Sequence, residues 1–262
     1  MRSTIMFPHS KRNISAAESV KILLETEQLF GVEDFWVRTT EVAQHKISSS
    51  SPHVSSRVSS HVSVEKQMEE LYAKYAQCQN CGLAKSRTKI VFGVGSLHPK
   101  VLFVGEGPGY EEDRQGIPFV GKAGILLDKI MASIGLDRQN CYIANIVKCH
   151  PMKDPDQPLL RGNDRPPEPD EMAACNPILS QQIEILNPPI ICALGSVAAK
   201  ALMQTGEGIT RLRGKILQFT YPISKKVVPI IPTYHPAALL RNELLKKDVW
   251  HDMKLLRGLL VP

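Results

Sequence analysis

Four short apolar runs constrain this chain more than any other feature: "KVLFVG" (100–105), "CYIANIV" (141–147), "PIICALG" (189–195) and "VVPIIPTYH" (227–235). Each has strand length and is rich in β-branched residues, and none alternates apolar with polar. A strand that is apolar on both faces has to be covered on both. Stretches with helical spacing fall between and around the runs, at 65–77, 122–134, 168–186, 196–204 and 243–260. The expectation is a three-layer α/β/α sandwich with a central, mainly parallel four-stranded sheet. "GKILQFTYPISKK" offers an additional edge hairpin.

The first quarter of the chain reads differently. Residues 15–30, "SAAESVKILLETEQLF", carry apolar residues near helical spacing, so residues 1–38 form a helical segment. Residues 39–64 are serine-rich and hold too few large apolar groups to offset ordering entropy, which predicts a disordered linker. Residues 65–262, where the strand and helix patterns alternate, are expected to form one folded domain that carries the functional site. No apolar run reaches the roughly 18 residues needed to span a bilayer, and "MRSTIMFPHSKRN" lacks the apolar core of a secretory signal. A cytoplasmic protein with no membrane partner is expected, associated with the nucleoid in a bacterium.

In parallel α/β sheets ligands sit beyond the carboxyl ends of the strands. The residues there begin with "VLFVGEGPGYEEDRQGIPFVGKAG" (101–124). Gly105, Gly107 and Gly109 miss the dinucleotide-binding spacing and enclose Pro108. "GIPFVGKA" has phosphate-loop spacing but ends in Ala123, where a Ser or Thr would hold Mg²⁺. A pocket for one planar base uses the parts better. The glycine backbone permits close approach, Phe119 offers a stacking face, and Asn145 supplies an amide toward the end of the second run.

"GEGPGYEED", "GIPFVGKAG", "NIVKC", "GNDRPPEPDEMAAC" and "TYHPAALLRN" follow in that order. Together they resemble the family 4 uracil-DNA glycosylases, iron–sulfur members of the uracil-DNA glycosylase superfamily, over roughly residues 65–260. The resemblance implies hydrolysis of the N-glycosidic bond of uracil in double- or single-stranded DNA, leaving an abasic site for base excision repair, by a monomeric enzyme. Gly105, Gly107, Phe119, Asn145 and His235 would bind the base. Phe119 would stack on it, and Asn145 would pair with O4 and N3–H, rejecting cytosine, whose edge has the opposite pattern. His235 would stabilise charge developing on O2. Gly107 stands where another branch of the superfamily has an Asp, so Glu106 and Glu112 are the candidates for orienting water. Two alternatives to this enzyme are a noncatalytic, cluster-stabilised nucleic-acid-binding module and a glycosylase of broader base scope.

Cys78 and Cys81 form a C-x₂-C pair, and Cys149 and Cys175 flank a proline-bearing loop. Spacing leaves structural zinc and an iron–sulfur cluster both open, whereas the resemblance implies a [4Fe–4S] cluster. Cys141 and Cys192 lie inside apolar runs and read as core thiols. The chain departs from the family's pattern in "MKDPDQPLLR", an additional stretch between "KCHP" and "GNDRPPEP". The formal net charge is +6, and Lys200–Asn242 holds seven basic residues against the single acid Glu207. That region is the expected DNA face, with Leu239, Leu240 or Arg241 as the wedge filling the gap left by the flipped nucleotide and Arg213 among the phosphate contacts.

Overall fold

The computed structural model describes residues 62–260 together with Phe30. The expected N-terminal helix, apart from Phe30, and nearly all of the expected linker lie outside the described residues. Helix α1 (Val64–Tyr75) begins where Ser63 Oγ accepts a hydrogen bond from the Lys66 amide, one turn in. The other helices are α2 (Tyr110–Gln115), α3 (Lys122–Ala132), α4 (Pro169–Leu186), α5 (Ser196–Met203), α6 (Ile209–Leu212), α7 (Pro236–Arg241) and α8 (Leu245–Leu260).

The sheet has six strands, not four. They are β1 (Val94–Gly95), β2 (Val101–Gly105), β3 (Cys141–Asn145), β4 (Ile191–Leu194), β5 (Leu217–Thr220) and β6 (Val227–Thr233), in the order β1-β3-β2-β4-β6-β5. The four apolar runs form the parallel centre, β3-β2-β4-β6. The additions are antiparallel edges: β5 pairs with β6 in the anticipated hairpin, and β1 pairs with β3.

Side chains along each central strand alternate between two separate cores. Val101 and Phe103 of β2 point to one face, with Leu127 and Met131 of α3, Leu239 of α7 and Met253 of α8. Leu102 and Val104 point to the other, with Met68 of α1, Ile178 of α4 and Ala198 of α5. All are buried. Full burial of each large apolar side chain is worth about 1.5–3 kcal/mol, so the unbroken apolar character of the runs stabilises both layers at once. Cys141 and Cys192 are buried in the first of these cores, as expected. Phe30 joins it as well, its ring stacked 5.0 Å from that of Trp250 on α8.

This arrangement brings the carboxyl ends of β2, β3, β4 and β6 together along one edge of the sheet. The site residues stand there.

Candidate active site

β2 and β3 are in parallel register with Gly105 opposite Asn145. A Cβ on Gly105 would lie 2.4 Å from Asn145 Oδ1 and 2.6 Å from Phe119 Cζ, so only glycine lets the amide and the ring meet above the strand end. Beyond the strands the two chains stay tied, because Ile146 and Val147 donate to the carbonyls of Gly105 and Glu106. The buried Lys148 ammonium donates to the Asn145 carbonyl at 2.8 Å. The Asn145 backbone is therefore fixed. Its side chain is only 1% exposed, yet Oδ1 has no hydrogen-bond partner among the described residues. A buried acceptor left in that state costs about 1–3 kcal/mol, which a ligand N–H would recover.

Phe119 sits in the left-handed region, φ 55°. Its loop is held from both sides. Glu112 Oε1 on α2 accepts from the amides of Val120 (3.0 Å) and Gly121 (3.1 Å), and the Arg138 guanidinium donates to the carbonyls of Pro118 and Phe119. Gly124 of α3 touches the same carbonyl so closely that a Cβ there would fall 1.8 Å from the Phe119 oxygen. The ring is thereby presented to the cleft at a fixed angle.

His235 follows β6 and opens α7. Its Nδ1 accepts from the Ala237 amide at 3.2 Å, so in the neutral ring the proton is on Nε2. Burial, aided by the Arg241 charge, depresses its pKa to about 4. The imidazole is neutral at physiological pH and offers an N–H donor. Its centroid lies 5.4 Å from that of Phe119. Gly195, φ 92°, makes room for it at the end of β4, since a Cβ there would meet His235 Cβ at 2.9 Å.

Phe119, Asn145 and His235 line one cleft of about 630 Å³, and Glu106, Gly107, Glu112 and Arg241 line it too. Burial raises the Glu106 carboxyl above its ordinary pKa, with Arg241 pulling the other way. Glu112 uses one oxygen to hold the Phe119 loop, a bracing duty that its candidacy for water did not anticipate.

Two expected DNA contacts are displaced. Leu239 is fully buried in the α3/α8 core, because it occupies the inner face of the short helix α7, while Leu240 beside it is 50% exposed. Arg213 is committed elsewhere. It forms a bidentate pair with the buried Asp252 of α8, at 2.7 and 3.0 Å, and approaches Asp248 at 3.3 Å. Thr233, two residues before His235, donates to the same Asp252 carboxylate. Arg213 is thus a strut beneath His235. Arg138 lies outside every motif and Lys148, inside "NIVKC", carried no assigned role, so sequence reasoning missed them both.

The cysteines gather at the other side of the β3 exit. The Cys149 thiol is pushed up to about 12 chiefly by burial, with Arg87 opposing and Cys175 and Cys81 close enough to add to the rise; Cys175 is likewise raised by burial and senses Cys81 and Cys78. Arg87 donates to Cys149 Sγ at 3.5 Å, and the Lys148 amide donates to Cys175 Sγ at 3.3 Å. Among the described residues, no group of three or more His, Cys, Asp or Glu side chains is drawn together tightly enough to hold a metal ion. The thiols share one locality without closing to single-ion spacing. In donor type, with a guanidinium beside Cys149 and a backbone N–H beside Cys175, they fit an iron–sulfur cluster.

The fold and cleft define an α/β protein whose parallel strands end in one cleft, lined by an aromatic ring, a buried amide and an imidazole. Its sequence matches the family described as the uracil DNA glycosylase superfamily over residues 92–254. It is 41% identical over 193 residues to the Type-4 uracil-DNA glycosylase of Thermotoga maritima, covering 72% of this chain and 93% of that protein. With the protein of the same name from Sulfurisphaera tokodaii it shares 40% over 199 residues, covering 74% and 85%; with that from Archaeoglobus fulgidus, 36% over 193 residues, covering 71% and 90%. The chain belongs to the uracil-DNA glycosylase superfamily.

Proposed function

We propose that the protein is a uracil-DNA glycosylase that hydrolyses the N-glycosidic bond of uracil in DNA and leaves an abasic site. The observation that carries this reading is the unpartnered, buried Asn145 Oδ1 in a cleft shared with the Phe119 ring and a neutral His235. Uracil extruded into that cleft would stack on Phe119, donate N3–H to Asn145 Oδ1 and accept at O4 from the amide nitrogen. Cytosine has an acceptor at N3 and donors at N4, so it would leave the amide mismatched.

As the C1′–N1 bond breaks, the electron pair moves onto the base and accumulates partly on O2. The Nε2–H of His235 meets that charge without itself needing to ionise. Its neutrality matters, since a neutral donor stabilises the anion without surrendering a proton to the ground-state base. Water then adds to the oxocarbenium-like sugar at C1′, and the proton it loses ends on the departing uracil anion. Glu106, which lines the cleft and whose carboxyl is raised by burial, would orient that water, and Glu112 would act by holding the Phe119 loop.

Cys78, Cys81, Cys149 and Cys175 would hold a [4Fe–4S] cluster. Its contribution is structural: it would join the end of α1 to α4 and to the segment that follows Asn145. Incubation with a uracil-containing oligonucleotide followed by alkali tests the reading. Strand scission at uracil is expected, and Asn145→Ala should reduce it by roughly two to four orders of magnitude. Intact strands after wild-type treatment would refute it.

A further inference from the structure

We propose that the arm over residues 152–164 is a second DNA-gripping tip, whose leucines support the duplex beside the extruded nucleotide. This rests on reading the cleft as a base pocket. The arm is a built structure. Met152 and Asp164 form an antiparallel bridge, and Lys153 donates to the Asn163 carbonyl at 2.8 Å. The Asn163 side chain fills the inside of the loop, accepting from the Asp154 amide and donating to the carbonyls of Asp154 and Gln157 at 2.7 and 3.0 Å. At the base, the buried His150 holds Asp164 at 2.7 Å, and Arg165 grips Glu171 of α4 at 2.6 Å.

A loop so braced nonetheless displays Leu159 (66% exposed) and Leu160 (49%) at its tip. The next residue, Arg161, is pinned against α2 by Glu111 at 2.7 Å and lies 4.9 Å over the Tyr110 ring, on the wall of the cleft. Leu-Leu-Arg occurs again at 239–241 and at 255–257; the copy at 255–257 lies in α8 with Leu256 in the core, whereas at 239–241 Leu240 is exposed and Arg241 lines the same cleft. The cleft is therefore bordered by two steps of like chemistry, one on α7 and one on the arm. Extruding a nucleotide leaves two defects in a duplex, the hole in its own stack and the widowed base opposite. One leucine wedge can fill only one of them.

Charge sharpens the expectation. Residues 152–164 contain two cations, Lys153 and Arg161, against three carboxylates, Asp154, Asp156 and Asp164. The arm thus adds apolar contact and not phosphate neutralisation. The test compares wild type with the double variant Leu159→Ala/Leu160→Ala, whose exposed positions leave folding intact, as an unchanged melting temperature would verify. Binding is measured to a duplex carrying a stable abasic-site analogue, and uracil release is measured from single- and double-stranded oligonucleotides. The expected result is duplex binding weakened about tenfold, an unchanged slope of log affinity against log salt, and unchanged release from single strands. Undiminished duplex binding would overturn the proposal, as would an equal loss of release on single strands. If wild type releases no uracil from either substrate, the glycosylase reading itself falls, a failure distinct from either of those.

Discussion

An imidazole that receives a backbone amide on Nδ1 has already chosen its tautomer, and His235 also has its charge state chosen by burial. The pH profile of uracil release should accordingly be insensitive to His235 through neutral pH and fall only as the pH approaches about 4, where the ring protonates. The sign for stability is the same. The folded-state pKa lies below the ordinary 6.5, so the contribution is intact above that value and is lost as the pH drops toward 4. His235→Ala should lower kcat by roughly 10²–10³ with the fold retained, checked by single-turnover kinetics alongside circular dichroism. Gly105→Ala is the steric counterpart: a methyl 2.4 Å from Asn145 Oδ1 displaces the amide, so base release should fail while the protein still folds. Asn145 and His235 were legible in the sequence because each stands in a motif at the carboxyl end of a strand, and Phe119 because it stands in "GIPFVGKAG". The tautomer was not, since it depends on where the Ala237 amide comes to lie.

At the scale of elements, the supports of the site are the part that pattern could not show. Arg213 stands 39 residues from Asp252, and nothing in a run of basic residues says that one of them is neutralised so far along the chain. Removing it strands a buried carboxylate under His235. Arg213→Ala should therefore cost about 3–5 kcal/mol in stability, read from denaturant unfolding, while leaving the salt dependence of DNA binding nearly unchanged. Leu239 and Leu240 posed a related difficulty. Adjacent leucines in a six-residue helix cannot both face inward, and which one does is decided by how α7 docks on α3 and α8. The brace at Glu112 gives a graded test. Glu112→Gln keeps an oxygen for the Val120 and Gly121 amides and should retain most activity, whereas Glu112→Ala frees the Phe119 loop and should raise KM for uracil-containing DNA. A residue serving only as a base for water would not spare the glutamine variant.

Across the whole molecule, the four apolar runs announced the central sheet because strands buried on both faces leave no room for polar alternation. The edges were less legible. β5 had a hairpin's composition, but two-residue β1 carries no pattern and exists because β3 offers it an edge. Cys78, Cys81, Cys149 and Cys175 come from three separate stretches of the sequence and meet beside the β3 exit, so their loss should be felt at Asn145. Cys175→Ser should abolish the broad visible absorbance of the anaerobically purified protein, lower its melting temperature and reduce uracil release together. The link between His235 and Ala237 reaches further than the reaction it serves. The lone pair on Nδ1 also starts the helix bearing Leu240 and Arg241, so a single proton arriving there would charge the ring and unhitch the first turn of that helix at the same moment.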